Sequence, residues 1–312
     1  MPEFYRRQPG AVINFGINKY VYVSVNDKFD GRTRMSYSIT EMVHHPEQLK
    51  HDLAREILKH FDVKGLEITS VSDIPGEGSG LGSSSAFTVG MCKAVLRKLD
   101  QNLNMHPGVY ADLAFQIEAG RCGHKVGKQD QYAAAFGNIH YYQFNPDESV
   151  VAELIPLSNE KRFFLERDLM LFWTGRTRKA QNILVDQARR LEENDAAYQA
   201  AERVKSMAIL LYDDLKRGEL DNIGAYLHEN WLWKQHFSAG VSDPKINNLY
   251  SDAMRAGAQG GKLCGAGGGG FLMMWVHPDK QRAVERALGL QRVSWKMVTH
   301  GSEIIYNGEK DE

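Results

Sequence analysis

Three cysteines, Cys92, Cys122 and Cys264, are all the chain has; they lie far apart with no CxxC pair, so neither a disulfide scaffold nor a structural zinc site is expected. No stretch approaches the roughly 18 uninterrupted apolar residues of a membrane span. The opening MPEFYRRQPG carries charges where a signal peptide needs an apolar core. A basic excess is also missing: 38 Lys and Arg against 39 Asp and Glu leave a net charge of −1, which argues against a nucleic-acid partner. Internal repeats and low-complexity linkers are absent too. Expected, then, is a soluble, cytoplasmic chain with no nucleic-acid or membrane partner, in which any anion must be met by a local site.

What is present is enough for an enzyme. At about 150 residues per domain, 312 residues predict two domains. Segments rich in Val, Ile, Tyr and Phe predict strands at 11–25, 34–39, 66–71, 138–144 and 150–155, with helices at 83–99 and 107–119. The apolar spacing of residues 47–61 is helical, so the histidines there need not converge on a metal. Beyond a strand at 169–174, helical patterns run through 204–215, 226–233 and 246–256. Strands return at 270–276, 293–298 and 303–306, around a helix at 278–288. The domains are expected to be 1–160 and 161–312, the second α+β.

Residues 75–90, PGEGSGLGSSSAFTVG, join a strand to a helix through glycines 76, 78, 80 and 82. Glycines let backbone approach a ligand, and three serines at a helix start aim amides and hydroxyls at one point with the positive end of the dipole behind them. The loop suits phosphate. It is no Walker A loop, since no GK[ST] follows. A dinucleotide fingerprint competes, with Asp100 as the ribose acid, but the glycine spacing is wrong and the serines have no role in it. A plain linker or capped helix is the structural alternative.

Five glycines in the six positions 265–270 precede an apolar strand. They suit either a hairpin against another backbone or a second loop facing the first and lining a phosphate and substrate cleft. Glu118 is placed in the last turn of a helix, where the macrodipole opposes it, which suggests either a magnesium ligand or a surface acid offset by Arg121. Asp130 either caps a helix starting at Gln131 or does chemistry.

Together these motifs resemble the GHMP small-molecule kinases. GLGSSS in the first loop, GAGGGG in the second, and Glu118 followed twelve residues later by Asp130–Gln131 stand in the family's order through nearly the whole chain. The resemblance implies an α+β, two-domain fold: an N-terminal ATP-binding domain with a mixed sheet and a left-handed βαβ unit, and a ferredoxin-like C-terminal domain with extra helices. It implies transfer of the ATP γ-phosphoryl group to the anomeric hydroxyl of a sugar or sugar phosphate. Pro75, Gly78, Ser79, Gly80, Leu81, Gly82, Ser83, Ser84 and Ser85 would hold ATP, Ser84 and Glu118 the Mg2+, and Asp130 would be catalytic. Gly265, Ala266, Gly267 and Gly268 would line the substrate side. GKQDQYAAAFG and FWTGRTRKAQNIL are most similar to sugar 1-kinases, those acting on a heptose 7-phosphate first, with fucokinase- and galactokinase-like enzymes as neighbours. Arg176, Arg178 and Lys179 are the candidate anchors for a remote phosphate, Lys125 and Lys128 the second choice, and a solvated charge run the alternative. A decarboxylase on the same fold fits less well. A homodimer stays open.

The family's opening motif, of the type APxRIxxxGGGxD, is not in this sequence, which starts at Met1-Pro2-Glu3-Phe4. The expectation is a truncated start or a lost strand, an unpaired edge beside it, and reduced activity, with a nucleotide or sugar sensor as the alternative function.

Overall fold

The computed structural model describes residues 1–76, 78–101, 104–178 and 180–308. Along the chain come helix α1 (Pro2–Tyr5) and strands β1 (Gly10–Phe15), β2 (Val21–Asp27), β3 (Thr33–Ser36) and β4 (Thr40–Val43). Then follow α2 (Asp52–His60), β5 (Leu66–Ser72), α3 (Ser83–Lys98), α4 (Pro107–Phe115), α5 (Gln129–Phe136), and the hairpin β6 (Ile139–Phe144) and β7 (Val150–Leu154). Next are α6 (Asn159–Asp168), β8 (Leu169–Trp173), α7 (Ala180–Glu193), α8 (Asp195–Lys216), α9 (Ile223–Lys234) and α10 (Pro244–Arg255). The series ends with β9 (Gly260–Leu263), β10 (Phe271–Trp275), α11 (Pro278–Leu288) and β11 (Gln291–Val293).

Local chemistry explains several helix starts. His51, Ser158, Asn194 and Asp243 each accept a backbone N–H of the first turn of the helix they precede, which satisfies one of its orphan donors. Apolar periodicity supplies the buried faces. The strand expected at 303–306 is not there; just before it, Ser302 N–H donates to Ala134 O (2.9 Å) and Lys93 Nζ to Ser302 O (2.5 Å). The strand expected at 293–298 stops at Val293.

The chain forms two compact units, but not by a cut at residue 160. One is Met1–Asn18, Glu77–Leu81 and Ile139–Met297; the other is Lys19–Gly76, Gly82–Asn138 and Val298–Glu312. Strand pairing is the reason. β6 and β7, early in sequence, form an antiparallel sheet with β1, and α8 lies on it, Tyr212 stacking on Tyr141 with centroids 4.2 Å apart.

In that first unit a second sheet has the order β11-β8-β10-β9, all antiparallel. Ignoring the extra helices it is a β-α-β-β-α-β unit with its fourth, first, third and second strands side by side, the ferredoxin-like arrangement. Met170, Phe172, Leu263, Leu272 and Met274 fill its core against Trp231, Ile246 and Val284. The other unit has the mixed sheet β2-β5-β3-β4, with β3 and β5 parallel and the remaining pairs antiparallel. Ile57 of α2 and Phe87, Met91 and Val95 of α3 pack on Met35 and Ile68 of that sheet. Among the described residues, no helix is long and apolar enough to cross a membrane.

Candidate active site

In the mixed-sheet unit the candidate residues gather at the start of α3. Gly82 is its N-cap, in the left-handed region at φ 74°. The helix ladder begins with Ala86 N–H donating to Gly82 O (2.9 Å), so the amides of Ser83, Ser84 and Ser85 fall outside it, at the positive end of the dipole. Ser83 and Ser85 are buried, Ser84 is exposed, and Ser83 Oγ donates to Pro75 O (3.3 Å).

After α4 the helix widens into a π-helical segment, Gln116–Arg121, which carries Glu118. Such bulges recur at functional sites. Glu118 is 1% exposed, accepting from Gln131 Nε2 at 3.0 Å and Ser85 Oγ at 3.3 Å. It is not a surface acid, and Arg121 pairs with Glu56 (3.4 Å) instead. Burial pushes its carboxyl up to about 7, against the pull of the Gln131 and Ser85 hydrogen bonds, and the Asp130 charge adds to the rise. The expectation named Ser84 as the hydroxyl beside Glu118; here Ser85 touches it and the Ser84 hydroxyl faces outward.

Asp130 is the second residue of α5, whose N-cap is Lys128, so it is not the cap of that helix. It borders the start of α3: a Cβ placed on Gly82 would stand 3.4 Å from the Asp130 Cβ and 3.5 Å from its Cγ. The end of the first glycine loop, the buried acid and the half-buried acid thus meet within one unit. Lys128 is buried, its Nζ 5.4 Å from the Phe115 ring centroid, whereas Lys125 is exposed.

In the other unit the two glycine loops lie backbone on backbone. A Cβ on Gly80 would meet Cys264 O at 2.6 Å, one on Gly265 would meet Gly80 Cα at 2.5 Å, and Phe271 N–H donates to Ser79 O (3.2 Å). Both glycines also have positive φ, 76° and 65°. The close approach of residues 265–270 to another backbone is the one the hairpin reading requires. Thr174 N–H and Oγ1 donate to Gly270 O at 3.0 and 2.7 Å, and Gly270 N–H to Arg176 O at 2.9 Å. Between Gly265 and Gly270, Ala266 O accepts from Gln187 Nε2 (3.0 Å), Gly267 approaches Val241, and Gly268 approaches Ile183 and Arg178.

Arg176 and Arg178 share one carboxylate, Asp243, at 2.7 and 3.0 Å. Two guanidinium charges on one acid leave a net positive cluster, and Arg176 Nε is buried without a partner. Lys179 lies outside the described residues. Sequence reasoning missed Asp243, visible only as the cap before Pro244. It also missed Lys234, buried in α9, whose Nζ donates to the Leu263 and Gly265 carbonyls; nothing in the sequence marks that lysine apart from any other on a helix.

A divalent cation suits this chemistry. Glu118 is a buried carboxylate whose hydrogen-bond partners are a neutral amide and a neutral hydroxyl, and an uncompensated buried charge is costly. Oxygen donors are also what Mg2+ takes.

The chain resembles known proteins over most of its length. The model for the GHMP kinase N-terminal domain matches residues 48–138, and that for the GHMP kinase C-terminal domain matches 211–292. The chain is 30% identical over 292 residues to a D-glycero-alpha-D-manno-heptose 7-phosphate kinase of Campylobacter jejuni, covering 89% of this chain and 85% of that one. A mevalonate kinase of Pyrococcus abyssi is 27% identical over 303 residues, covering 90% and 76%. Among solved structures, a D-glycero-D-manno-heptose 1-phosphate kinase of Bacteroides thetaiotaomicron superposes with a TM-score of 0.74 at 26% identity, covering 96% of this chain and 92% of that one. With a serine-started glycine loop, a buried glutamate and a neighbouring aspartate arranged as above, the chain belongs to the GHMP kinase family, enzymes that transfer a phosphoryl group from ATP to a hydroxyl group.

Proposed function

We propose that the chain phosphorylates the anomeric hydroxyl of D-glycero-D-manno-heptose 7-phosphate. The observation that carries the phosphotransfer chemistry is the meeting of Asp130 and buried Glu118 with the start of α3. The heptose rests on the Campylobacter relative and on the net positive cluster of Arg176 and Arg178, which suits a phosphorylated sugar and is not needed for a neutral hexose.

Phosphoryl transfer is mostly positioning and charge neutralisation. The amides of Ser83, Ser84 and Ser85 would donate to the phosphate oxygens of ATP, and Gly78–Leu81 let the backbone come close to them. Glu118, with Ser84 or Ser85, would hold Mg2+, which when bound neutralises charge on the transferring phosphoryl group. Asp130 would orient the anomeric hydroxyl and take its proton as the new O–P bond forms and the bond to ADP breaks. Arg176 and Arg178 would anchor the remote phosphate, with Lys179 beside them in sequence.

An ADP-release assay over heptose 7-phosphate, the free heptose, galactose, fucose and mevalonate tests this. Heptose 7-phosphate should exceed the free heptose in kcat/KM by at least about tenfold, the size of one charge-assisted hydrogen bond. Galactose or fucose turned over equally well would move the assignment to a neutral sugar 1-kinase. Nucleotide binding with no turnover of any sugar would favour a sensor.

A further inference from the structure

Away from Asp130, the mixed-sheet unit brings together three donors of different chemistry. Asp52 is the first residue of α2, while Cys122 and His124 follow the π-helical segment. One donor atom from each of the three lies within 4.8 Å of the others. His124 Nε2 is 2.8 Å from Asp52 Oδ2, a contact spanning 72 residues, and the other Asp52 oxygen accepts Leu53 N–H (2.7 Å), so ring and carboxylate are both oriented. Cys122 is a free thiol, and all three residues are partly exposed, which leaves an entry path. Arg55 and Arg121, the nearby cations, are both paired with Glu56, at 3.2 and 3.4 Å.

We propose that Asp52, Cys122 and His124 form a three-ligand site for a zinc-class divalent cation, separate from the magnesium expected at Glu118. The donor set decides the metal. One thiolate, one imidazole and one carboxylate are ligands for Zn2+ and its congeners, whereas Mg2+ prefers oxygen alone. The 2.8 Å contact between His124 Nε2 and Asp52 Oδ2 already brings two of the three donors together. Three protein donors leave a fourth tetrahedral position for water. Burial pushes the free Cys122 thiol up to about 12, so binding must displace its proton: the S–H bond breaks, the sulfur–metal bond forms, and one proton per cation goes to the buffer. The cation would tie α2 to the segment that carries Glu118, since His124 N–H also donates to Glu118 O (2.9 Å).

Co2+ is the probe, added to the chelator-treated full chain without nucleotide or sugar, so that the outcome is independent of the proposed kinase substrate. One equivalent should produce a thiolate-to-cobalt charge-transfer band in the near ultraviolet. Equimolar Zn2+ should abolish it, and a hundredfold excess of Mg2+ should not. Cys122→Ser should lose the band and Cys264→Ser keep it, with circular dichroism confirming that both fold. Asp52→Asn should weaken Co2+ binding by at least about 10-fold, since losing a ligand costs no less than losing an outer-shell partner. No band in the wild-type chain, or a band that survives Cys122→Ser, overturns the site.

Discussion

Ser85 donates its hydroxyl to Glu118 across 3.3 Å inside the mixed-sheet unit, although the two residues are 33 apart in sequence. That bond ties the first turn of α3 to the π-helical widening after α4. The start of α3 and a buried acid are thereby fixed relative to each other, with Gln131 holding the other carboxylate oxygen.

The first consequence concerns pH. Glu118 sits near 7, above its ordinary value of 4.5. An acid whose folded-state value is raised binds more protons folded than unfolded, so its stabilising contribution is present below the unfolded value and is lost as pH rises through the folded one. Without divalent cation, Glu118→Gln should therefore gain stability over the wild type between about pH 4.5 and 7, by up to about 3 kcal/mol if the shift is fully realised. Urea unfolding of both proteins at pH 5 and pH 8 measures it. A difference that does not grow with pH would show that Glu118 is already compensated.

Asp130→Asn should leave ATP binding within a few-fold of wild type while lowering kcat by at least about 10²-fold, the usual size of a general-base contribution. Calorimetry with Mg·ATP and steady-state kinetics separate the two. Wild-type turnover in the variant would reduce Asp130 to an acid in the first turn of α5.

Arg176→Ala should raise KM for heptose 7-phosphate by about 10- to 100-fold, from the loss of a charge-assisted hydrogen bond, and should leave KM for free heptose unchanged. If both constants move together, the side chain only braces the loop through Asp243.

Gly80→Ala should destabilise the fold by more than about 1 kcal/mol, because φ is 76° and the new methyl would stand 2.6 Å from Cys264 O. Gly76→Ala, with nothing within 4 Å of the added carbon, should stay within about 0.5 kcal/mol of wild type. Thermal unfolding of the two variants gives the comparison, and equal losses would remove the argument for backbone contact at Gly80.

Features that depend on a few neighbouring residues were legible in the sequence. Glycines 76–82 ahead of three serines announced a glycine loop opening into α3 because φ and helix capping are local properties, and apolar spacing placed α3, α11 and the β6–β7 hairpin. Glu118 and Asp130 stood out by spacing and helix position. What surrounds them was decided only by tertiary structure. That Glu118 is buried, that Ser85 and not Ser84 touches it, that Asp243 receives both arginines and that Lys234 holds the Gly265 carbonyl all depend on residues 13 to 67 positions apart packing together. The division of the chain follows the same physics. β6 sits in the first half of the sequence, but its edge N–H and C=O groups are satisfied by β1 and β7, so it leaves the unit its neighbours in sequence build. Cys122 read as an isolated thiol and Asp52 fell unremarked within the helical pattern of 47–61, and only the packing of α2 against the π-helical segment sets them side by side.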